Sequence, residues 1–253
     1  MEDILISPYA LSLLFFTVAL AYSSVGLGGG SSYTALMAIV GVSTVAIPMI
    51  SLTLNMLVTT VGSVNFIRSG HARLKLILPF LVSSIPMSYL GGSLKLPKGL
   101  FYWILLATLC FVALRIYVWK KTTKRLEIGK TGKIALSLTA GSVLGLIAGI
   151  VGIGGGIYLV PLIIVLGLGA EKEAAACGVI FILVNSLSGL IARMQFNSID
   201  PSQIIFPIIA VIIGSAAGSF MGAVRYKPQT LQKVLGAVIL VAIVFLTRKV
   251  VVS

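Results

Sequence analysis

Gly26-Leu27-Gly28-Gly29-Gly30 and Gly152-Ile153-Gly154-Gly155-Gly156 are the stretches on which the reading of this chain turns. The two runs lie 126 residues apart in a chain of 253, and each follows one hydrophobic stretch and precedes a shorter one. A membrane helix interrupted in this way frees main-chain amides and carbonyls that lipid cannot satisfy, so the break must be buried or line a wet cavity. Breaks in corresponding positions of two halves are the sequence pointer to a carrier's substrate site.

Composition agrees with a membrane setting. Hydrophobic residues make up 58% of the chain and charged residues 10%, with a mean hydropathy of +1.12, whereas a soluble domain carries about 25% charged residues. Residues 4–67 and 134–170 hold no Asp, Glu, Lys or Arg. About 20 apolar residues cross a bilayer, so each of these stretches holds more than one crossing. The net charge of +13, from 19 Lys and Arg against 6 Asp and Glu, does not indicate nucleic acid. The basic residues cluster in short loops, as cytoplasmic retention of Lys and Arg predicts. Cys110 and Cys177 both fall in apolar segments without metal or CxxC spacing and read as buried small apolar residues. No basic n-region precedes the first apolar stretch, which speaks against a cleaved leader.

Apolar stretches fall at 9–25, 31–41, 47–67, 76–92 and 100–119, then at 134–151, 157–168, 174–193, 203–222 and 231–247. Five match five, and the match extends beyond the glycines. Asn55 pairs with Asn185, Asn65-Phe66 with Gln195-Phe196, Pro79 with Pro207, Tyr89-Leu90-Gly91 with Phe220-Met221-Gly222 and Pro97 with Pro228. The expected fold is an all-α polytopic membrane protein of two homologous halves, with short re-entrant or broken helices at the glycine runs. The first repeat would be 1–119, the basic cytoplasmic linker 120–133 and the second repeat 134–253. Segments 31–41 and 157–168 are too short to cross as straight helices, and Pro48 and Pro161 are expected to interrupt helix nearby. The count is eight crossings plus two short intramembrane pieces, or ten crossings. Loops 68–75 and 120–133 belong in the cytoplasm by their Lys and Arg, and parallel and inverted arrangements of the halves both fit.

The candidate substrate site starts from Gly28, Gly29, Gly30, Gly154, Gly155 and Gly156, whose bare backbone lets amides approach a ligand at a helix N-terminus. Ser31, Ser32, Tyr33 and Thr34 after the first run, and Tyr158 after the second, add hydroxyl donors suited to an oxyanion. The scattered Gly141, Gly145 and Gly149 read instead as helix packing. Asn55 and Asn185, costly in lipid without a partner, face the interior. They either contact substrate or tie down the freed backbone of a broken helix. Thr59 and Ser188, one turn further on, would extend a polar track. Arg193, ending its segment on the face of Asn185, is either a fixed cation beside an anion pathway or a residue snorkelling to the headgroups, as is Arg68. His71 reads as an interfacial residue, and Glu171-Lys172-Glu173 as a solvated turn before a helix. No acidic residue lies well inside a span, which favours an anionic over a cationic substrate. There is no Walker A sequence and no HExxH or GxSxG motif, so no nucleotide, metal, cofactor or enzymatic reaction is expected.

The chain resembles the sulfite exporter TauE/SafE family of membrane proteins. The resemblance rests on Ala21-Tyr22-Ser23-Ser24-Val25-Gly26-Leu27-Gly28-Gly29-Gly30, on Ala148-Gly149-Ile150-Val151-Gly152-Ile153-Gly154-Gly155-Gly156 with Pro161, on Asn185, and on the closing Gly222 to Pro228 stretch. The first half departs from the pattern, with Ala35 where the second copy has Pro161. The resemblance implies transport of small sulfur-containing anions (sulfite, sulfoacetate, thiosulfate or related organosulfonates) across a bacterial inner membrane. Expected partners are a small anionic substrate and the lipid bilayer, with no nucleic acid and with room for a homodimer. An alternating-access secondary carrier is the first reading. An anion channel, a membrane scaffold and a sulfur-transferring enzyme using Cys177 are its rivals.

Overall fold

In a computed structural model, the residues described are 7–23, 27–117, 129–198, 201–222, 236–237 and 239–248, and among them every regular element is a helix. In chain order the helices are α1 (Pro8–Ser23), α2 (Gly30–Val40), α3 (Ala46–Arg68), α4 (Leu74–Ser93), α5 (Lys98–Tyr117), α6 (Lys130–Val151), α7 (Gly156–Val165), α8 (Glu171–Met194) and α9 (Pro201–Gly222). A further apolar helix, α10, spans Ile239–Arg248. Helices α3, α4, α5, α6 and α8 are long and apolar enough to cross a membrane, which makes the chain a multi-pass membrane protein. Most of the linker placed at 120–133, and Gly26 and Pro228, lie outside the described residues.

The two short helices begin and end where the glycines allow. Gly29 (φ 90°) precedes α2 and Gly41 (φ 88°) follows it. Gly152 (φ 84°) ends α6 and Gly155 (φ 75°) precedes α7. A side chain at such a left-handed position costs roughly 1–2 kcal/mol, so helix stops at these glycines and starts again. At 11 residues, α2 rises only about 16 Å, half the thickness of the hydrocarbon core. The prolines act differently from expectation. Pro48 sits in the first turn of α3, where a missing amide costs nothing because that amide has no intrahelical partner. Pro161 lies inside α7, which runs on to Val165. Neither breaks its helix; the glycines do.

Helices α3 and α8 form the centre, packed on each other. Around them α4 lies along α6 and α1 along α9, and these are the two most extensive helix pairings. The α4–α6 seam is built as expected from Gly141, Gly145 and Gly149. A Cβ on Gly141 would stand 2.6 Å from the Phe80 carbonyl, and on the other two glycines it would collide with the carbonyls of Ser84 and Ser88. On α9, Gly214 and Gly218 lie in the same way on the Phe16 and Leu20 carbonyls of α1. Small residues at a seam let backbones approach closely, which is how membrane helices gain packing energy without a hydrophobic drive.

The outer surface is apolar, with Leu13, Leu78, Val82, Trp103, Val143 and Ile213 all exposed, while Ser31, Ser32, Thr34, Ser51, Asn55, Thr59, Ser88, Asn185 and Ser186 are buried. Cys177 is buried beside Phe80 and Phe181, but Cys110 is exposed on α5, against the expectation that both are interior. Apolar surroundings outside as well as inside make a lipid-facing cysteine as stable there as a buried one. Glu171-Lys172-Glu173 is not a turn ahead of a helix but the first turn of α8, where carboxylates complement the helix dipole. Glu173 Oε2 accepts from the Ala170 amide at 2.8 Å, and Oε1 lies 3.2 Å from Arg73 Nε.

Candidate functional site

The two helix breaks meet. A Cβ on Gly30 would stand 2.7 Å from the Ile153 carbonyl oxygen and would collide with Asn55 Nδ2. Gly28 lies on the other side of the same asparagine, where a Cβ would come 2.7 Å from Oδ1. Gly154 faces Asn55 Nδ2 and Ser186 Oγ, both 3.3 Å from a Cβ position, and Gly156 approaches the Gly178 carbonyl of α8. Only residues without side chains let two stretches of main chain and one amide share so little space.

Asn55 ties the breaks together. Its Nδ2 donates to the Gly152 carbonyl at 3.2 Å, and Ser51 Oγ donates to the same carbonyl at 2.7 Å. That carbonyl is one freed by the end of α6, so both side chains replace the bond the helix gave up. Ser51 also reaches the Gly30 carbonyl at 3.4 Å. Asn185 is placed differently, for its Nδ2 turns back to Phe181 O at 2.8 Å in its own helix, while its carbonyl accepts from Ser88 Oγ of α4 at 2.8 Å. Oδ1 of Asn55, Oδ1 of Asn185 and Oγ of Ser186 are buried without a partner.

The hydroxyls after the first run divide between two tasks. Tyr22 OH bonds Ser31 Oγ at 3.0 Å and Ser32 Oγ at 3.1 Å, holding the end of α1 to the start of α2. Thr34 donates back to Gly30 O at 2.9 Å within its own helix. Tyr33 packs edge-on against Phe15 with ring centroids 5.2 Å apart, its ring lies on Gly29, and its hydroxyl is buried without a partner. Tyr158 OH donates to the Thr108 carbonyl at 3.1 Å, which fastens α7 to α5. Thr59 donates to Asn55 O in its own helix, and Ser188 to Ile85 O of α4.

Arg193 is buried, with 7% exposure, so it does not snorkel. Its Nη2 donates to Gly149 O at 2.9 Å and to Ile150 O at 2.7 Å, and Nε donates to Gly149 O at 3.2 Å. The guanidinium caps the C-terminal carbonyls of α6, where a cation meets the negative end of the helix dipole. Arg68, in contrast, is exposed at the end of α3. Between Tyr22, the Gly28–Ser31 turn and Ile153, Ile157 and Ile182 lies a narrow cleft with room for about one water molecule. Among the described residues no hydrogen bond uses the amides of Ser31, Gly156 or Ile157, so the first turns of α2 and α7 bring unspent donors to the breaks. No cluster of His, Cys, Asp or Glu that could hold a metal occurs among the described residues.

The family model for the sulfite exporter TauE/SafE matches residues 11–246. The chain belongs to the TauE/SafE family. It is also 31% identical over 234 residues to a protein of Sinorhizobium fredii (strain NBRC 101917 / NGR234) described as "Probable membrane transporter protein y4hK", covering 92% of this chain and 95% of that one. No solved structure matches. Both similarities span the two breaks and the helices that hold them, so this TauE/SafE protein is a multi-pass member of a membrane transporter family. Its bacterial relative fits an inner-membrane location.

Ser51 and Ser186 were not singled out by the sequence, and Tyr22 entered only as part of the Ala21–Gly30 motif. Ser51 precedes Asn55 by four residues, on the same helical face, and that spacing was the available signal. Ser186 adjoins Asn185, but its orientation toward Gly154 belongs to the packing of α8.

Proposed function

We propose that the protein is a secondary carrier that moves a small sulfur-containing anion, such as sulfite, thiosulfate, sulfoacetate or another organosulfonate, by alternating access between the two helix breaks. The observation that carries this reading is the junction of Gly30, Ile153 and Asn55, where two interrupted helices bring unspent main-chain donors to one buried place. Preorganised amides at helix starts suit an anion without any fixed base or nucleophile. Gly28, Gly29, Gly30 and Ser31 of one break and Gly154, Gly155 and Gly156 of the other are the proposed contacts. Asn55 and Asn185 line the site from α3 and α8, Arg193 supports it from the end of α6, and Ser32, Tyr33, Thr34 and Tyr158 shape its walls.

The reading includes two repeats, 1–119 and 134–253, joined by 120–133. The exchange of partners supports it: if α1 corresponds to α6 and α4 to α9, the α1–α9 pairing is the counterpart of α4–α6. Two such units can rock about the central α3–α8 contact and expose the junction to either side in turn. Protons or the membrane potential supply the drive.

The test is labelled sulfite or sulfoacetate flux in proteoliposomes for Gly29→Val and Gly155→Val. Flux should fall at least tenfold in both while the proteins still insert and stay monodisperse. Unchanged flux in folded variants defeats the reading.

A further inference from the structure

Asn55 presents a buried acceptor to the same place where the helix starts present donors. Its amide orientation is set by the Nδ2 bond to Gly152 O, because the reverse orientation would face two oxygens. Oδ1 is therefore turned to Gly28, a lining residue of the cleft, and it has no partner although Asn55 is 0% exposed. Ser186 Oγ, also unpartnered and 0% exposed, stands beside Gly154 on the other break. The two side chains come from α3 and α8, and both are directed at the junction.

A buried acceptor left without a donor is unfavourable by its full desolvation. A bare oxyanion cannot relieve it, since each of its oxygens is itself an acceptor and would face Oδ1 with like partial charge. The cleft is lined by no cation, and Arg115 of α5 acts electrostatically on its Tyr22 wall from outside the lining. The lining residues are neutral, and Arg193 is committed to the Gly149 and Ile150 carbonyls. Neutral donors can replace the hydration of one negative charge far more readily than of two.

Resting on the anion-carrier reading, we infer that the site takes a monoanion that carries its own hydrogen-bond donor, namely the protonated form of a small oxyanion, with Asn55 Oδ1 accepting its O–H. Ser31, Gly156 and Ile157 amides and the Ser186 hydroxyl then donate to the charged oxygens. Asn55 is thereby a specificity-determining residue: it admits the hydrogen oxyanion, rejects the dianion of the same shape, and narrows the substrate to hydrogen sulfite over thiosulfate, sulfoacetate and other organosulfonates. The proton travels with the substrate.

Titratable or charged groups on the elements packed about Asn55 are Tyr9 and Tyr22 of α1, Tyr33 of α2, Arg68 of α3 itself, Lys130 and Lys133 of α6, Tyr158 of α7, and Glu171, Lys172, Glu173, Cys177 and Arg193 of α8. Helix α9 contributes none. None is a histidine or a carboxylate lining the cleft, so a pH dependence of binding reports the ligand's own proton.

The experiment is a thermal-shift titration of the full chain in detergent with selenite, sulfite, sulfate and methanesulfonate, each on the acid and the alkaline side of the second dissociation of selenite and sulfite. Shifts are taken against ligand-free protein at the same pH. Selenite, whose monoanion holds its proton on oxygen, should lose roughly tenfold or more in apparent affinity on the alkaline side, and sulfite should follow it. Methanesulfonate, a monoanion with no donor, should bind more weakly than hydrogen selenite and equally at both pH values, and sulfate should give no shift. In Asn55→Leu the preference for hydrogen selenite over methanesulfonate should vanish; the wild-type comparison stands without that variant. Equal selenite affinity on both sides, tighter binding of the dianions, or methanesulfonate as tight as hydrogen selenite overturns the inference. No shift with any of the four anions overturns the anion site itself, a result distinct from losing the preference alone.

Discussion

Asn55 Nδ2 and the Gly152 carbonyl oxygen, 97 positions apart in the chain, are joined at 3.2 Å. Through that bond, the long helix after the first break closes the helix end that opens the second. Ser51 donates to the same oxygen at 2.7 Å, so two side chains one turn apart on α3 share one acceptor.

Removing either donor therefore exposes the other's contribution. Asn55→Leu should destabilise by about 1–3 kcal/mol and Ser51→Ala by about 1 kcal/mol. Because they share a partner, the double variant should depart from additivity by at least about 0.5 kcal/mol. Urea or SDS unfolding of all four proteins in one detergent measures this. Strict additivity would mean that the shared carbonyl is not what couples them.

Gly30 and Gly29 should fail for different reasons. Gly29 holds a φ of 90°, so Gly29→Ala carries backbone strain of roughly 1–2 kcal/mol. Gly30 has no positive φ, and its alanine would instead press on Ile153 O and Asn55. Gly30→Ala is expected to insert normally yet cut flux at least tenfold, since it wedges the junction apart. Gly99→Ala, with open space around it, should change neither stability nor flux.

Arg193→Gln should weaken the fold by about 2–3 kcal/mol, the cost of losing hydrogen bonds from a charged donor together with its favourable place at a helix end. Arg193→Lys should recover only part, because an ammonium lacks the planar fork that reaches Gly149 and Ile150 together. Arg68→Gln, at an exposed site, should stay within about 0.5 kcal/mol of the parent. Equal losses at both arginines would show that the capping geometry is not what matters.

The two tyrosines that begin the short helices should separate cleanly. Tyr158→Phe gives up the bond to Thr108 O and should cost about 1 kcal/mol. Tyr33→Phe removes a buried hydroxyl that has no partner and should be neutral or stabilising. Thermal midpoints of the purified variants decide it.

These contrasts also mark what the sequence could reveal. Glycine runs are legible because only Gly both tolerates a left-handed turn and leaves no side chain, and the starts of α2 and α7 fall within one residue of the expected positions. Charge-free stretches were enough to place the long helices. The task of Asn55 was not legible: its partner lies across the molecule, and substrate contact and backbone tethering fit the same residue type. Arg193 was expected beside an anion pathway or at the headgroups, but its targets, Gly149 and Ile150, lie 44 and 43 residues earlier in α6, beyond any local pattern. Pro48 misled because it stands in the first turn of α3, where no amide is needed, whereas Pro161 lies inside α7, which runs on past it to Val165.

The long seam of α1 on α9 bears on biogenesis. α1 leaves the ribosome well before α9, the surface it packs against, has been made. During synthesis, its face toward α9 must stay covered by lipid, by the insertion machinery or by a neighbouring helix. A nascent chain halted after α8 would carry that face unmatched, a state that membrane quality control can recognise as unfinished.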